Sequence, residues 1–245
     1  MTKLGIRLLG VAVLFLSGAA FPYKEIEVKN GGVIKGKIKA AKKYKDPVLT
    51  ITKNTDFCGT SKPARLYEIA PDLGLKNAIV AIKKIKKGKP IPKQDCVIDN
   101  KDCYFEPLVQ VCFKKKGNKF VFTNSDPFLH NTHINKILKK GKERTAYNLA
   151  LPKKGQVIRK PIRTSGLHKV KCDAHAWMWG YVYISKHPYA TVTNSKGEFV
   201  IKDIPPGKYK LWIWHPGMKE VVKEVEVKAG KTTTVNVTLK KKEKK

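Results

Sequence analysis

The tightest constraint on the fold is the rhythm of the last third of the chain. Five short runs, 189–193, 198–201, 208–214, 221–227 and 232–239, alternate apolar with polar side chains. Turn signals separate them: Asn194-Ser195-Lys196-Gly197, Pro205-Pro206-Gly207, Pro216-Gly217 and Ala229-Gly230. A period of two sends successive side chains to opposite faces of a strand, and turns about every 8–12 residues are the pattern of a sandwich. Upstream, 24–39 alternates around Gly31-Gly32 and reads as a hairpin, while 77–86, 108–113, 119–123, 166–172 and 181–185 read as further strands. The stretch 52–74 reads as loop, and a ten-residue helix fits only at 131–140. There is no glycine-rich phosphate loop. The expected class is all-β.

At 245 residues the chain has room for one large β domain or two ordinary ones, and 42% hydrophobic residues suffice for a packed core. Its first twenty residues read separately. Lys3 and Arg7 precede an apolar run from Leu8 to Leu16, and Gly18-Ala19-Ala20 forms a small-residue cleavage site. The run is too short to span a bilayer and has the form of a secretory signal at 1–20. The expected location is periplasmic or extracellular.

Export changes how the five cysteines are read. An odd number in an oxidising compartment leaves one sulfur without an internal partner. Cys58, Cys96, Cys103 and Cys112 are the disulfide candidates, and Cys172 stands apart among histidines. Three pairings of the four are possible and sequence alone does not choose. The preferred one joins Cys58 to Cys103 and leaves Cys96 for Cys112.

Most of the reactive side chains fall in two segments, 124–133 (NSDPFLHNTH) and 172–178 (CDAHAWM). Together they offer a thiolate, imidazoles and a thioether, the donors of a copper electron-transfer site in which Cys and two His bind trigonally and Met binds weakly on the axis. Cys172 ends an alternating strand and the next six residues must turn back, which lets His175 and Met178 converge beside the sulfur. The fourth ligand must come from another strand, and His130 follows one that ends in a turn. His133, three positions along an extended chain, points to the opposite face. His168 shares a face with Cys172 but lies roughly 13 Å away at strand rise. His187 and His215 read as ordinary packed or surface residues. Taken singly, these residues also fit a buried cysteine, two surface histidines and a core methionine. A zinc site from His130, His133, Cys172 and His175 requires His133 to turn inward.

On these residues the chain resembles the cupredoxins, the small blue-copper proteins, and especially the amicyanin group with its short C-x2-H-x2-M ligand loop. The segment His130-Asn131-Thr132-His133 is similar to that group's H-N-x-H, over roughly residues 105–186. The resemblance implies one type 1 copper ion held by His130, Cys172, His175 and Met178, and not by His133. It also implies that Asn131 ties the first-ligand loop to the cysteine loop, and that His175 is the electron's exit. Asp173 departs from the small hydroxyl residue usual after the cysteine and would place a carboxylate near the thiolate. Trp177 and Trp179 flank Met178, and are read either as an apolar docking patch around His175 or as caps on the core.

Residues 192–213 (VTNSKGEFVIKDIPPGKYKLWI) look like a carboxypeptidase regulatory-like domain, a transthyretin-like β-sandwich. That family has no catalytic residues, so the resemblance implies a scaffold or docking role. The runs 31–40 and 77–86 resemble the opening strands of such domains. The expected organisation is therefore a signal at 1–20, an N-terminal β region at 21–95 that packs with the C-terminal sandwich, a cupredoxin-like Greek-key sandwich at 96–186, a carboxypeptidase regulatory-like sandwich at 187–240, and a basic tail at 241–245.

The function implied is single-electron transfer between redox proteins, not an enzyme. Two alternatives stay open: copper binding or delivery, and a metal-free structural or docking sandwich. The net charge of +32 suits steering toward an acidic redox partner, which the resemblance suggests is a c-type cytochrome or a dehydrogenase. An anionic membrane surface suits it equally, as does a plain solvated lysine-rich surface. Nucleic acid does not suit an exported chain without a groove-reading motif.

Overall fold

Strand alternation builds nearly all of the molecule, in a computed structural model that describes residues 23–243. The signal segment expected at 1–20 lies outside the described residues, as do the last two residues of the tail. Among the described residues the helical content is one turn at Thr55–Cys58 and a 3-10 turn at Lys139–Gly141. No helix among them is long and apolar enough to cross a membrane.

The first sandwich packs a four-stranded sheet, ordered Val157–Pro161, Lys119–Asn124, Cys96–Lys101, Tyr104–Glu106, against a five-stranded one. The second sheet runs Glu143–Leu151, His130–Ile137, Gly166–Lys171, Trp179–Ser185, Val109–Phe113. Ile98, Phe105, Phe120 and Phe122 from one face meet Ile134, Val170 and Val182 from the other in a single core. The segment 131–140, expected as a helix, is instead the strand His130–Ile137, paired with neighbours on both sides. His130, Thr132 and Ile134 are buried at a period of two, and the strand is paired along one edge and at His133–Lys136 along the other, whereas an isolated short helix would leave backbone groups unpaired at both ends.

The second sandwich joins Ala190–Val192, Ile79–Ile82, Gly207–His215 and Met218–Val227 in one sheet. Its other sheet is centred on Gly32–Ala40, flanked by Glu198–Ile204 and by two parallel partners, Thr232–Thr234 and Val237–Leu239. The 24–39 run is thus no hairpin. Lys24–Glu25 pairs with Lys87–Gly88, and Gly32–Ala40 pairs with strands more than 150 residues away. Gly36 is required there because a Cβ would stand 1.8 Å from the carbonyl oxygen of Val235.

The stretch 21–95 divides between the two bodies. Its strands Gly32–Ala40 and Ile79–Ile82 belong to the second sandwich, whereas Val48–Thr50, Thr55–Cys58 and Ser61–Pro63 form an arm whose Leu49, Ile51 and Cys58 join the first core. The sandwiches meet through aromatic rings. Tyr181 and Tyr183, on the outer face of Trp179–Ser185, stand against Trp214 and Trp212 at 4.9 and 5.1 Å between centroids, over Ile79, Leu108 and Val109.

Candidate metal centre

Two loops at one end of the first sandwich are folded against each other by their own backbone groups. In the first, Asn124 Nδ2 donates to the carbonyls of Phe128 and Leu151 at 2.8 and 2.9 Å, which fixes the turn that delivers His130 to the start of its strand. In the second, the Met178 N–H donates to the His175 carbonyl at 2.9 Å and closes the chain back toward Cys172. The strands Gly166–Lys171 and His130–Ile137 are antiparallel neighbours with Lys171 opposite His133, so the two loops emerge side by side. The backbone N–H of Asn131 donates to Cys172 Sγ at 3.4 Å, and its side-chain Oδ1 accepts the N–H of Asp173.

His130, Cys172 and His175 come together with their ligating atoms all within 4.8 Å of one another. The Nδ1 atoms of His130 and His175 lie 4.0 and 3.6 Å from Cys172 Sγ. Each Nε2 faces an acceptor instead, Asp126 Oδ2 for His130 and Asn54 Oδ1 for His175, both at 2.8 Å. Those acceptors select the Nε2–H tautomer and leave each Nδ1 lone pair turned toward the sulfur. The donor set therefore fits a metal that takes two neutral imidazoles and one thiolate. Met178 is buried in the same loop with 1% exposure.

The electrostatics favour the ligating form of the sulfur. Burial alone would push the Cys172 thiol up, but its contacts with the two imidazoles and the hydrogen bond from the Asn131 N–H outweigh it and bring its pKa down to about 6. Burial likewise opposes ionisation of Asp126, yet His130 and the backbone N–H groups of Cys103 and Asp102 hold its carboxyl below the ordinary range. Asp102 and Cys103 are consecutive residues with φ of 52° and 59°, which aims both N–H groups at one carboxylate. His130 is raised above its usual value because Asp126 and Cys172 overcome its burial.

The remaining side chains singled out in the sequence fall into distinct places. Trp177 is buried and packs edge-on to His175 with centroids 5.0 Å apart, while Trp179 turns to the junction between sandwiches, 6.0 Å from Tyr181. Neither forms an exposed patch. The Asp173 carboxylate pairs with His133 at 2.9 Å and Lys171 at 3.3 Å, so its charge is spent outside the thiolate's hydrogen bonds. His133, held by Asp173 and Thr145, does not turn inward as a zinc set would need. Buried His168 is bonded to Thr164 and the Gly166 carbonyl. Disulfides join Cys58 to Cys103 and Cys96 to Cys112, and Cys172 is free and buried.

His175 is the main departure from expectation. It is only 2% exposed, and its outer nitrogen is covered by Asn54, so its ring is not an open exit. The reason is the arm, which lays the turn Thr55–Cys58 over it. Asn54, Asp126 and Phe128 were not singled out from sequence. Phe128 packs against both rings, at 5.1 Å from His130 and 5.6 Å from His175. Asp126, four residues before His130 in a turn, left a local signal, whereas Asn54, 121 residues before its partner, left none.

Residues 182–240 match the carboxypeptidase regulatory-like domain. The match opens inside the strand Trp179–Ser185 of the first sandwich and lacks the two N-terminal strands that complete the second. No curated protein matches the chain at a significant level. Solved structures similar to it include a purple cupredoxin from Nitrosopumilus maritimus, 25% identical over 37% of this chain and 100% of that one, with a TM-score of 0.31. A reduced Cu(I) form of an amicyanin variant is 22% identical over 37% and 82% of the two chains, with a TM-score of 0.29. A copper-containing nitrite reductase from Thermus scotoductus is 18% identical over 41% of this chain and 24% of that one, with a TM-score of 0.30.

Proposed function

We propose that the protein is an exported electron carrier holding one type 1 copper ion between His130, Cys172, His175 and Met178, and passing single electrons between redox proteins. The observation that carries this reading is the convergence of two imidazole Nδ1 atoms on one acidic thiol, with each Nε2–H already given to a fixed acceptor. One thiolate and two neutral imidazoles would hold copper in both of its oxidation states, with the Met178 thioether of the same loop as a weaker fourth donor. Copper bound there supplies the one-electron chemistry.

The protein's own groups do the rest. Cys172, with its pKa near 6, offers a thiolate at neutral pH without further proton loss. Asp126 and Asn54 pin the imidazoles from behind, and Asn131 pins the two loops to each other, so ligand positions change little between states. Burial of all four donors leaves no side open to a substrate and favours a carrier over an oxidase or hydrolase. The charge of +32 draws an acidic partner such as a c-type cytochrome or a dehydrogenase in a salt-dependent way, and attracts an anionic membrane surface by the same force. Two disulfides suit a periplasmic or extracellular setting.

The test is to add Cu(II) to the protein and to Cys172→Ala, and to record visible absorption and electron paramagnetic resonance spectra. An intense thiolate-to-copper band in the first and none in the second is the expected result. No band from protein whose other four cysteines are oxidised overturns the reading. A band that a chelator abolishes at once redirects it to copper delivery.

A further inference from the structure

The arm that crosses the metal centre belongs by its two ends to the other sandwich. The chain leaves Gly32–Ala40, runs through the arm, and returns at Ile79–Ile82, both strands being part of the second body. Between those points it is fastened to the first body several times. Leu49 and Ile51 enter its core, the Tyr104 hydroxyl donates to the Pro63 carbonyl at 2.8 Å, and Arg65 pairs with Glu106. The disulfide from Cys58 to Cys103 adds a covalent link.

At the tip of the arm, Asn54 breaks a local rule. An asparagine before a helical turn ordinarily gives its side-chain oxygen to the turn's own N–H groups. Asn54 makes no such bond. The N–H groups of Phe57 and Cys58 go to its backbone carbonyl, and its Oδ1 accepts the Nε2–H of His175 instead. It does so from the left-handed conformation, φ 52° and ψ 38°, which asparagine tolerates better than most residues. Phe57, the next bulky side chain, stands edge-on to Phe128 at 5.4 Å, and Phe128 covers both imidazoles. Cys103, the arm's covalent anchor, also gives its N–H to the Asp126 carboxylate that holds His130. One disulfide thus joins the supports of both rings.

We propose that Asn54 is a positioning residue for His175, and that the arm of residues 48–63 is a disulfide-anchored lid which closes the centre to solvent, so that metal and small thiol reagents reach Cys172 only when the lid lifts. The metal half of this rests on the copper reading, whereas closure over Cys172 does not.

The first measurement uses the full chain without metal, its disulfides oxidised, and follows N-ethylmaleimide labelling of Cys172 by mass spectrometry. Asn54→Ala is expected to label at least tenfold faster than wild type, and Asn54→Asp, which keeps the acceptor oxygen, close to the wild-type rate. Phe57→Ala changes a half-exposed residue, so it keeps the fold if Asn54→Ala does not, and it is expected to label several-fold faster. The pair Cys58→Ala/Cys103→Ala should also accelerate labelling, while Cys96→Ala/Cys112→Ala should not. Wild-type labelling rates in folded Asn54→Ala or in Phe57→Ala overturn the lid.

The second measurement uses copper-loaded protein and follows loss of reduced copper to bathocuproine disulfonate, with the visible band recorded before reduction. Asn54→Ala is expected to lose copper at least tenfold faster and to shift the band, and Asn54→Asp to restore both. If wild type shows no band, the copper reading fails alone and the labelling rates still decide the lid. If the band forms but Asn54→Ala changes neither its position nor the rate of loss, the positioning role fails alone.

Discussion

Nε2 of His130 lies 2.8 Å from Oδ2 of Asp126, with both side chains out of solvent, and the same carboxylate accepts the N–H groups of Asp102 and Cys103. One anion thereby settles the tautomer of a candidate ligand and the shape of a two-residue left-handed turn. Removing it leaves three donors unpaired, two of them buried. Asp126→Ala is expected to cost about 3 kcal/mol of stability in urea titration. Asp126→Asn keeps one acceptor and should fold, but with a less basic imidazole, so its copper affinity should fall on the order of 10- to 100-fold in chelator competition.

The two disulfides close loops of different length, with sequence separations of 45 for Cys58–Cys103 and 16 for Cys96–Cys112. If their effect is mainly on the unfolded chain, paired alanine substitution should cost about 4 kcal/mol for the first and about 3 kcal/mol for the second. Urea midpoints of the two double variants, measured at one pH, check that order. Equal losses, or the reverse order, would point to native contacts at Cys96 and Cys112 as the larger contribution.

The sequence carried some of this well and some of it not at all. Punctuation between 189 and 239 marked the strands of the second sandwich because turns and alternation are local signals. Its central strand, Gly32–Ala40, showed the right alternation but suggested a local hairpin, since nothing nearby indicates that its partners are Glu198–Ile204 and the segments after Thr232. The strand His130–Ile137 looked helical in composition, and pairing on both edges decided otherwise. At the centre, the spacing Cys172, His175, Met178 was legible because one loop holds it. Asn54 was not, because its role depends on where a distant arm happens to lie.

The junction between sandwiches rests on few rings. Trp214 is buried there, 4.9 Å from Tyr181 and 6.4 Å from Trp212. Trp214→Ala removes the ring that bridges the two bodies and should cost about 3–5 kcal/mol. Because each sandwich keeps its own core, the loss should appear as uncoupling. Calorimetry is expected to resolve two transitions in the variant where wild type shows one, and a single transition shifted as a whole would mean that the arm alone suffices to couple them.

Acid should weaken the protein well above the range in which its carboxylates are protonated, through three buried histidines: His168 in the first sandwich, which burial lowers to about 4, and two more beside the junction and in the second sandwich. His187 takes the Tyr189 N–H on Nδ1 at 3.3 Å, and His215 takes the Gly217 N–H on Nδ1 at 3.1 Å. Each therefore sits in the folded chain as the neutral ring. Burial lowers His187 to about 4, and burial with the nearby Lys242 charge lowers His215 to about 3. In the unfolded chain all three return to about 6.5. Between those values the unfolded state binds protons that the folded state refuses, so stability rises with pH in that window. Their contribution is complete above about pH 6.5 and is lost as the pH falls toward 4 and then 3, by about 3 kcal/mol for His187 alone. Urea midpoints at about pH 7, 6 and 5 should fall steadily, and the fall should be shallower in His187→Gln, which keeps a side-chain acceptor without a proton to gain. A flat profile from about pH 7 to 5 would show that none of the three rings is held neutral by the fold.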